Sequence, residues 1–173
     1  MKANRLLLAA LAAAVVSACT TPPDEPVLVD ACQLFTMEDA VTAAGELLSG
    51  RMTSTLDDAS GRPDPMRCLY NVGTTQDARL VGLEVRSHRS PEAARRAVEG
   101  SRALLGNLTR GEVEEIAGVG DAALWGGGEV DQLYVATGSY QLIITVQTQH
   151  GKERERATEA ALKVVERLGE ARD

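Results

Sequence analysis

Alternating apolar and polar residues mark two strands in the middle of the chain. In "RCLYNV", Cys68, Tyr70 and Val72 fall on one face, and "RLVGLEVRS" repeats this pattern with charged residues on its other face. Because successive side chains of a strand point to opposite faces, both segments predict strands that bury one face. The polar segment "GTTQDA" between them predicts a hairpin loop.

A second hairpin is predicted in "QLYVATGSYQLIITVQT". Apolar residues alternate along both of its arms, and Gly138-Ser139 between the arms favours a short turn. The preceding segment, "GEVEEIAGVGDAALWGGG", predicts a strand-and-turn region. Residues 51–56 predict a weaker strand, which is followed by an exposed loop with two prolines.

Three segments predict helices. In "FTMEDAVTAAG", Thr36 is placed to cap the first turn with Asp39 three residues later, and Gly45 favours a left-handed stop. Residues 90–106 predict one helix and residues 152–168 another, both amphipathic. Their apolar stripes are Ala94, Ala97, Val98, Leu104 and Leu105 in the first, and Ala157, Ala160, Ala161, Val164, Val165 and Leu168 in the second.

The order of these elements, helix, strands, helix, strands, helix, predicts an α+β fold. Strands with one apolar face need a cover, and each long helix carries one apolar stripe. We therefore expect an antiparallel sheet of about five to seven strands with helices packed on one face. Residues 31–173 would form this fold as a single globular domain, a length sufficient for a real core.

The first residues of the chain resemble the signal peptide of bacterial lipoproteins. Two cationic residues precede an apolar run from Leu6 to Val16, which is too short to cross ~30 Å of hydrocarbon as a helix. Val16-Ser17-Ala18-Cys19 then matches the lipobox. The resemblance implies cleavage before Cys19 and a diacylglycerol on its sulfur, which leaves residues 1–18 as signal peptide and 19–30 as a lipidated, Pro-rich tether. The alternative is an ordinary secretory signal with a chance cysteine.

The cysteine count bears on the rest of the domain. If Cys19 carries lipid, only Cys32 and Cys68 remain to pair, and export places them in an oxidising compartment. Closing this loop of about 37 residues would stabilise the fold by roughly 4 kcal/mol on the chain-entropy model. We therefore expect a Cys32–Cys68 disulfide, with two buried free thiols as the alternative.

The domain also resembles small secreted lipoproteins of high-GC bacteria, especially actinobacteria. The resemblance is carried by Cys32-Gln33-Leu34-Phe35-Thr36, Cys68-Leu69-Tyr70, "GVGDAALW" and the final hairpin and helix, and spans most of residues 31–169. Those proteins have no assigned activity. The resemblance therefore implies the disulfide and the fold, and implies no enzyme.

Charge and composition exclude one class of partner. Loss of the signal peptide removes two cations and shifts the formal net charge from −7 to −9. Nucleic-acid binding depends on neutralising phosphates, and the chain has only five aromatic residues for base stacking. We therefore expect no nucleic-acid partner.

The sequence shows no pattern typical of a catalytic or metal site. His88 and His150 each lack a second ligand at metal spacing, and the acidic loop at residues 57–64 lacks calcium-loop spacing. We expect no catalytic residues, no metal and no cofactor. The arginines at positions 89, 95, 96 and 102 alternate with glutamates, which is typical of a solvated helix face. In "GVGDAA", the glycines favour a tight turn in which Asp121 bonds local backbone N–H groups.

Trp125 is the one candidate binding residue. It precedes Gly126-Gly127-Gly128, and a lone Trp beside such a segment is either a binding anchor or a plug at the edge of the core. The sequence favours the core.

The function expected from these features is that of a lipid-anchored cell-envelope lipoprotein acting as a non-catalytic binding or interaction module. The alternative is a carrier of a lipid or other apolar ligand in a cavity between sheet and helices. Its partners would be the membrane, through lipid on Cys19, and an unidentified envelope protein or apolar ligand. Because Thr20 follows Cys19, resemblance to sorted lipoproteins implies the outer membrane in a diderm cell. In a monoderm cell the site is the outer face of the plasma membrane.

Overall fold

The computed structural model describes residues 29–45, 66–72, 79–109, 112–128, 130–147 and 153–171. The predicted signal peptide, Cys19, most of the tether and the weak strand at residues 51–56 lie outside the described residues. Within the described part of the chain, no helix is long and apolar enough to cross a membrane.

In the described part of the chain, six strands form one antiparallel sheet. They are β1 (Arg67–Val72), β2 (Arg79–Ser87), β3 (Val113–Glu115), β4 (Ala122–Gly126), β5 (Asp131–Thr137) and β6 (Tyr140–Val146). Their order across the sheet is β1-β2-β6-β5-β4-β3, and β1 with β2 and β5 with β6 form the two predicted antiparallel pairs. The predicted α+β class and the predicted antiparallel sheet are confirmed.

The pairing of β2 with β6 joins distant parts of the chain in the middle of the sheet. Cys68 lies opposite Leu83, and Leu83 lies opposite Ile144. The same row continues to Leu133 on β5 and Trp125 on β4. A slip of one residue would turn this apolar row to the other face, so burial of the row specifies the register.

Helices α1 (Ala31–Leu34), α2 (Met37–Ala44) and α5 (Glu153–Glu170) cover one face of the sheet. The predicted capping box begins α2: Thr36 Oγ accepts from the Asp39 N–H, and the Asp39 carboxylate accepts from the Thr36 N–H. Gly45 ends α2 with a φ of 71°, the left-handed region that suits glycine. The sequence prediction for this helix is confirmed.

Helix α5 packs its predicted stripe against β5 and β6. Its alanines are small enough to let the helix lie close to the sheet. Val29, which the sequence assigned to the tether, is also buried in this core. The buried stripe residues of α5 are Ala157, Ala160, Ala161, Val164 and Leu168.

Helices α3 (Pro91–Gly100) and α4 (Arg102–Thr109) cover the opposite face over β3–β6, which corrects the expectation that all helices pack on one face. The reason lies in the central strands: Ile143 of β6 and Tyr134 and Ala136 of β5 lie on the second face, and a single layer of helices would leave them in water. The second core consists of Ala94, Val98, Leu105, Leu124, Tyr134, Ala136 and Ile143.

The helix predicted over residues 90–106 is two helices in the structure. Gly100 ends α3, and the Ser101 hydroxyl donates to the Ala97 carbonyl at 2.8 Å. Glycine and serine both weaken a helix, one through backbone entropy and the other by competing for backbone groups. After the break, Leu105 is buried and Leu104 is 53% exposed, so the continuous stripe predicted for both leucines is wrong at Leu104.

Candidate functional site

A groove lies between α3 and the β3–β4 end of the sheet, and we call it the α3–β4 groove. Its volume is about 540 Å³, within the range of small-molecule sites. Val98 of α3 and Leu124 of β4 are almost fully buried and form its floor, beside half-buried Ile116. The groove therefore offers an apolar surface that opens to water.

Arg102 bridges two glutamates that line the α3–β4 groove. Its guanidinium donates two hydrogen bonds to Glu99, at 2.7 and 3.0 Å, and one to Glu115 on β3 at 2.7 Å. The hydrogen bonds from Arg102 lower the pKa of the Glu99 carboxyl. The negative charges of Glu99 and Glu115 are therefore partly neutralised by the Arg102 guanidinium between them.

The groove lining also carries two charged groups from different elements. Arg95 comes from α3, and Asp121 comes from the turn before β4. Among the described residues, Arg95 has one ion-pair partner, Glu92 at 3.4 Å. Asp121 accepts the Gly138 N–H at 2.8 Å.

Arg95 and Asp121 do not form an ion pair with each other within the described structure. The Arg95 side chain is 46% exposed and Asp121 is exposed, so both groups face solvent at the mouth of the groove. As far as contacts with the described residues go, most donors of Arg95 and one oxygen of Asp121 therefore remain open to a ligand.

A second pocket, of about 320 Å³ and more open, lies at the N-terminal end of α5. Trp125, Asp131 and Glu153 line it, and both acidic residues are 8% exposed. Burial raises the pKa of the Asp131 carboxyl, the Gly128 N–H acts against this, and the negative charge of Glu153 raises the pKa further. We call this the α5 acidic pocket.

The C-terminal end of α5 buries a carboxylate in a different setting. Arg167 donates to both oxygens of Asp39 and, at 2.7 Å, to the Leu34 carbonyl. The Thr36 N–H and hydroxyl donate to the same carboxylate, each at 2.8 Å. Burial acts to raise the pKa of Asp39, but the hydrogen bonds from Arg167 and Thr36 outweigh it and hold the pKa below its usual value.

The structure brings together one pair of the predicted site residues. Cys32 on α1 and Cys68 on β1 have their sulfurs 2.12 Å apart and their Cα atoms 4.9 Å apart, at disulfide distance. Cys19, the predicted lipidation residue, lies outside the described residues.

Trp125 is placed in the larger core, 6% exposed, as the sequence favoured. Its indole also lines the α5 acidic pocket, where its nitrogen lies beside Gly127. Because most of its ring is buried, Trp125 offers little surface as a binding anchor.

In the described ranges, no group of three or more His, Cys, Asp or Glu side chains is placed to hold a metal. His88 is half-buried, whereas His150 and the acidic loop at residues 57–64 lie outside those ranges.

Sequence reasoning missed the α3–β4 groove. The arginine cluster predicted a solvated helix face, and Arg95 is indeed exposed, but nothing in its spacing marks it as groove-lining. Asp121 was expected to bond local N–H groups, and its partner is Gly138, 17 residues away on the neighbouring hairpin. The positive φ of Gly118 and Gly120 shapes the turn that carries Asp121.

Comparison with known protein families finds no family model that matches this chain, and comparison with curated proteins finds no significant match.

Proposed function

We propose that this protein is a lipid-anchored lipoprotein of the cell envelope that acts as a non-catalytic binding module, with the α3–β4 groove as its binding site. The observation that carries the proposal is the groove itself. It combines a small-ligand volume and an apolar floor with two charged groups at its mouth, which is the usual composition of a recognition site.

The anchor is supported by the Val16-Ser17-Ala18-Cys19 sequence. Each buried CH₂ of an acyl chain contributes ~0.8 kcal/mol, and one chain alone binds a membrane only marginally. Two or three chains on Cys19 would hold the protein durably at the outer membrane of a diderm cell or at the outer face of a monoderm plasma membrane.

The anchor is tested by Cys19→Ser in cells fed a labelled fatty acid. We expect the variant to lose the label and to leave the membrane fraction, because the sulfur that would carry the lipid is absent. The control is Ser17→Ala, which keeps a small residue before the cleavage site and should leave labelling unchanged. Full membrane retention of Cys19→Ser would contradict the anchor.

The binding module is tested by native mass spectrometry of the lipidated protein purified in detergent. Ala117 is an exposed residue of the groove, so Ala117→Phe should fill the groove without disturbing the core. We expect a co-purifying small molecule to be lost in this variant and kept in Ala103→Phe, which alters an exposed alanine of α4 outside the groove. Equal occupancy in both variants would contradict the groove as the binding site.

The same experiment addresses a second candidate function, a carrier of a lipid or other apolar ligand. The apolar floor of the groove, between a helix and the sheet, favours it. A lipid found in the parent protein and absent from Ala117→Phe would support the carrier, whereas a polar or zwitterionic molecule would support the binding module.

A further inference from the structure

We infer that the α3–β4 groove binds a free α-amino acid with an apolar side chain, with the ligand carboxylate on Arg95 and its ammonium on Asp121. This inference rests on the proposed binding function of the same groove. It assigns both the chemical class of the ligand and the two residues that recognise it.

The first support is the placement of the two charges. Arg95 comes from α3 and Asp121 from the turn before β4, so a ligand at the mouth meets a guanidinium on one wall and a carboxylate on the other. An α-amino acid carries its ammonium and carboxylate on one carbon, so one molecule can offer an anion to Arg95 and a cation to Asp121.

The second support is the charge balance of the groove. Its lining carries three carboxylates and one guanidinium, and Arg102 meets two of these carboxylates, Glu99 and Glu115. With the ion-pair partners Arg102 and Glu92 included, these groups carry a net charge of −2. A simple anion would be repelled by this sum, whereas a zwitterion pairs with both charges at the mouth and adds no net charge.

The third support is the floor. Val98 and Leu124 line it and are almost fully buried. Half-buried Ile116 and Ala122 present apolar surface to the groove beside them. A side chain that extends from the same carbon as the two charged groups would reach this floor. Burial of each methylene there strengthens binding about fourfold, which favours an aliphatic side chain over a polar one.

The test is calorimetric titration of the lipidated protein in detergent with L-leucine and two matched analogues. 4-Methylpentanoate is leucine without its ammonium, and 3-methylbutylamine is leucine without its carboxylate. Titration into empty micelles corrects for partitioning. We expect saturable binding of leucine and at least about tenfold weaker binding of each analogue, since each loses one charge-assisted contact.

Two variants assign the contacts. Arg95→Gln and Asp121→Asn should each weaken leucine binding at least about tenfold, since each removes one charge. Arg95→Gln should leave the binding of 3-methylbutylamine unchanged, because that analogue has no carboxylate. The matched control is Arg96→Gln, an exposed arginine of α3 outside the groove, which should bind leucine as the parent does.

The inference is overturned if leucine does not bind, if either analogue binds as tightly as leucine, or if Arg96→Gln has the same effect as Arg95→Gln. Phosphocholine serves as the lipid-headgroup probe, and tighter binding of phosphocholine than of leucine also overturns it. A different co-purifying molecule that is lost in Ala117→Phe would, with no leucine binding, leave the binding module standing and remove only the amino-acid assignment.

Discussion

The two ends of α5 each bury an aspartate, and the two environments are opposite. At the C-terminal end, Asp39 is fully buried and is met by the Arg167 guanidinium and two Thr36 donors, so its pKa is lowered. At the N-terminal end, Asp131 is 8% exposed, lines a pocket and faces the charge of Glu153, so its pKa is raised.

Burial alone therefore does not decide what a carboxylate does in this fold. A buried charge is stable where a counter-charge and hydrogen bonds replace its water, and it is costly where they do not. Asp39 joins α2 to α5 as a structural link, since Arg167 also bonds the Leu34 carbonyl at the end of α1. At Asp131, burial and the negative charge of Glu153 raise the pKa, so the ionised carboxylate is costly there.

The largest effect is expected from Arg167→Met. It leaves the Asp39 carboxylate buried without its cation, and breaking such a pair costs about 3–5 kcal/mol. Urea denaturation of the purified protein measures the loss. The matched control at the other end of α5 is Arg154→Met, whose ion pairs with Glu114 and Glu155 are exposed, so its loss should change the stability little. If Arg167→Met and Arg154→Met lowered the free energy of unfolding equally, the buried Arg167–Asp39 pair would contribute no more to stability than an exposed ion pair.

The disulfide strengthens the Asp39 end in a second way, since it ties α1 to β1 across 36 positions of sequence. We expect Cys32→Ala with Cys68→Ala to lower the free energy of unfolding by about 2–4 kcal/mol. The parent protein should show no reaction with a thiol reagent before unfolding. If both thiols reacted in the native protein, the Cys32–Cys68 disulfide would be absent and would not stabilise the Asp39 end of α5.

Asp39 and Asp131 should affect the pH dependence of stability in opposite ways. The lowered pKa of Asp39 means that its stabilisation is fully present above its pKa in the unfolded chain, and is lost as the pH falls through the folded pKa. We expect stability to fall between about pH 5 and pH 2, and to fall less steeply in Asp39→Asn, which has no charge left to lose. Denaturation curves at each pH measure this. Parallel slopes in parent and variant would contradict the role of Asp39.

The smallest effect is expected from Asp131→Asn, and it has the opposite sign. A raised carboxyl pKa favours the protonated form in the folded state, so the ionised group lowers stability at neutral pH and this penalty disappears as the pH falls through the folded pKa. The variant should be more stable at pH 7 by about 0.5–1 kcal/mol, within the range of single stabilising substitutions. Thermal melting at pH 7 and pH 4 measures it, and destabilisation at pH 7 would contradict the comparison.

Local features of the fold were predictable from the sequence because they depend on neighbours in the chain. The Thr36–Asp39 capping box, the Gly45 stop and the apolar stripe of α5 are all set within a few residues. The Cys32–Cys68 pairing followed from a count of cysteines. The break at Ser101 was missed because apolar periodicity continues across it, although Gly100 is a local signal that could have found it.

What the sequence determined by itself is therefore the set of helices and strands, the α+β class and the pairing of two cysteines, since short-range periodicity and composition carry each of them. Only the tertiary structure decided that α3 and α4 cover the second face, because this follows from β6 taking the centre of the sheet. Only the tertiary structure brought Arg95 and Asp121 into one groove and gave Asp39 and Asp131 opposite pKa shifts. The free energy of a charge depends on the groups that surround it in space, and strand order, not distance along the chain, brings those groups together.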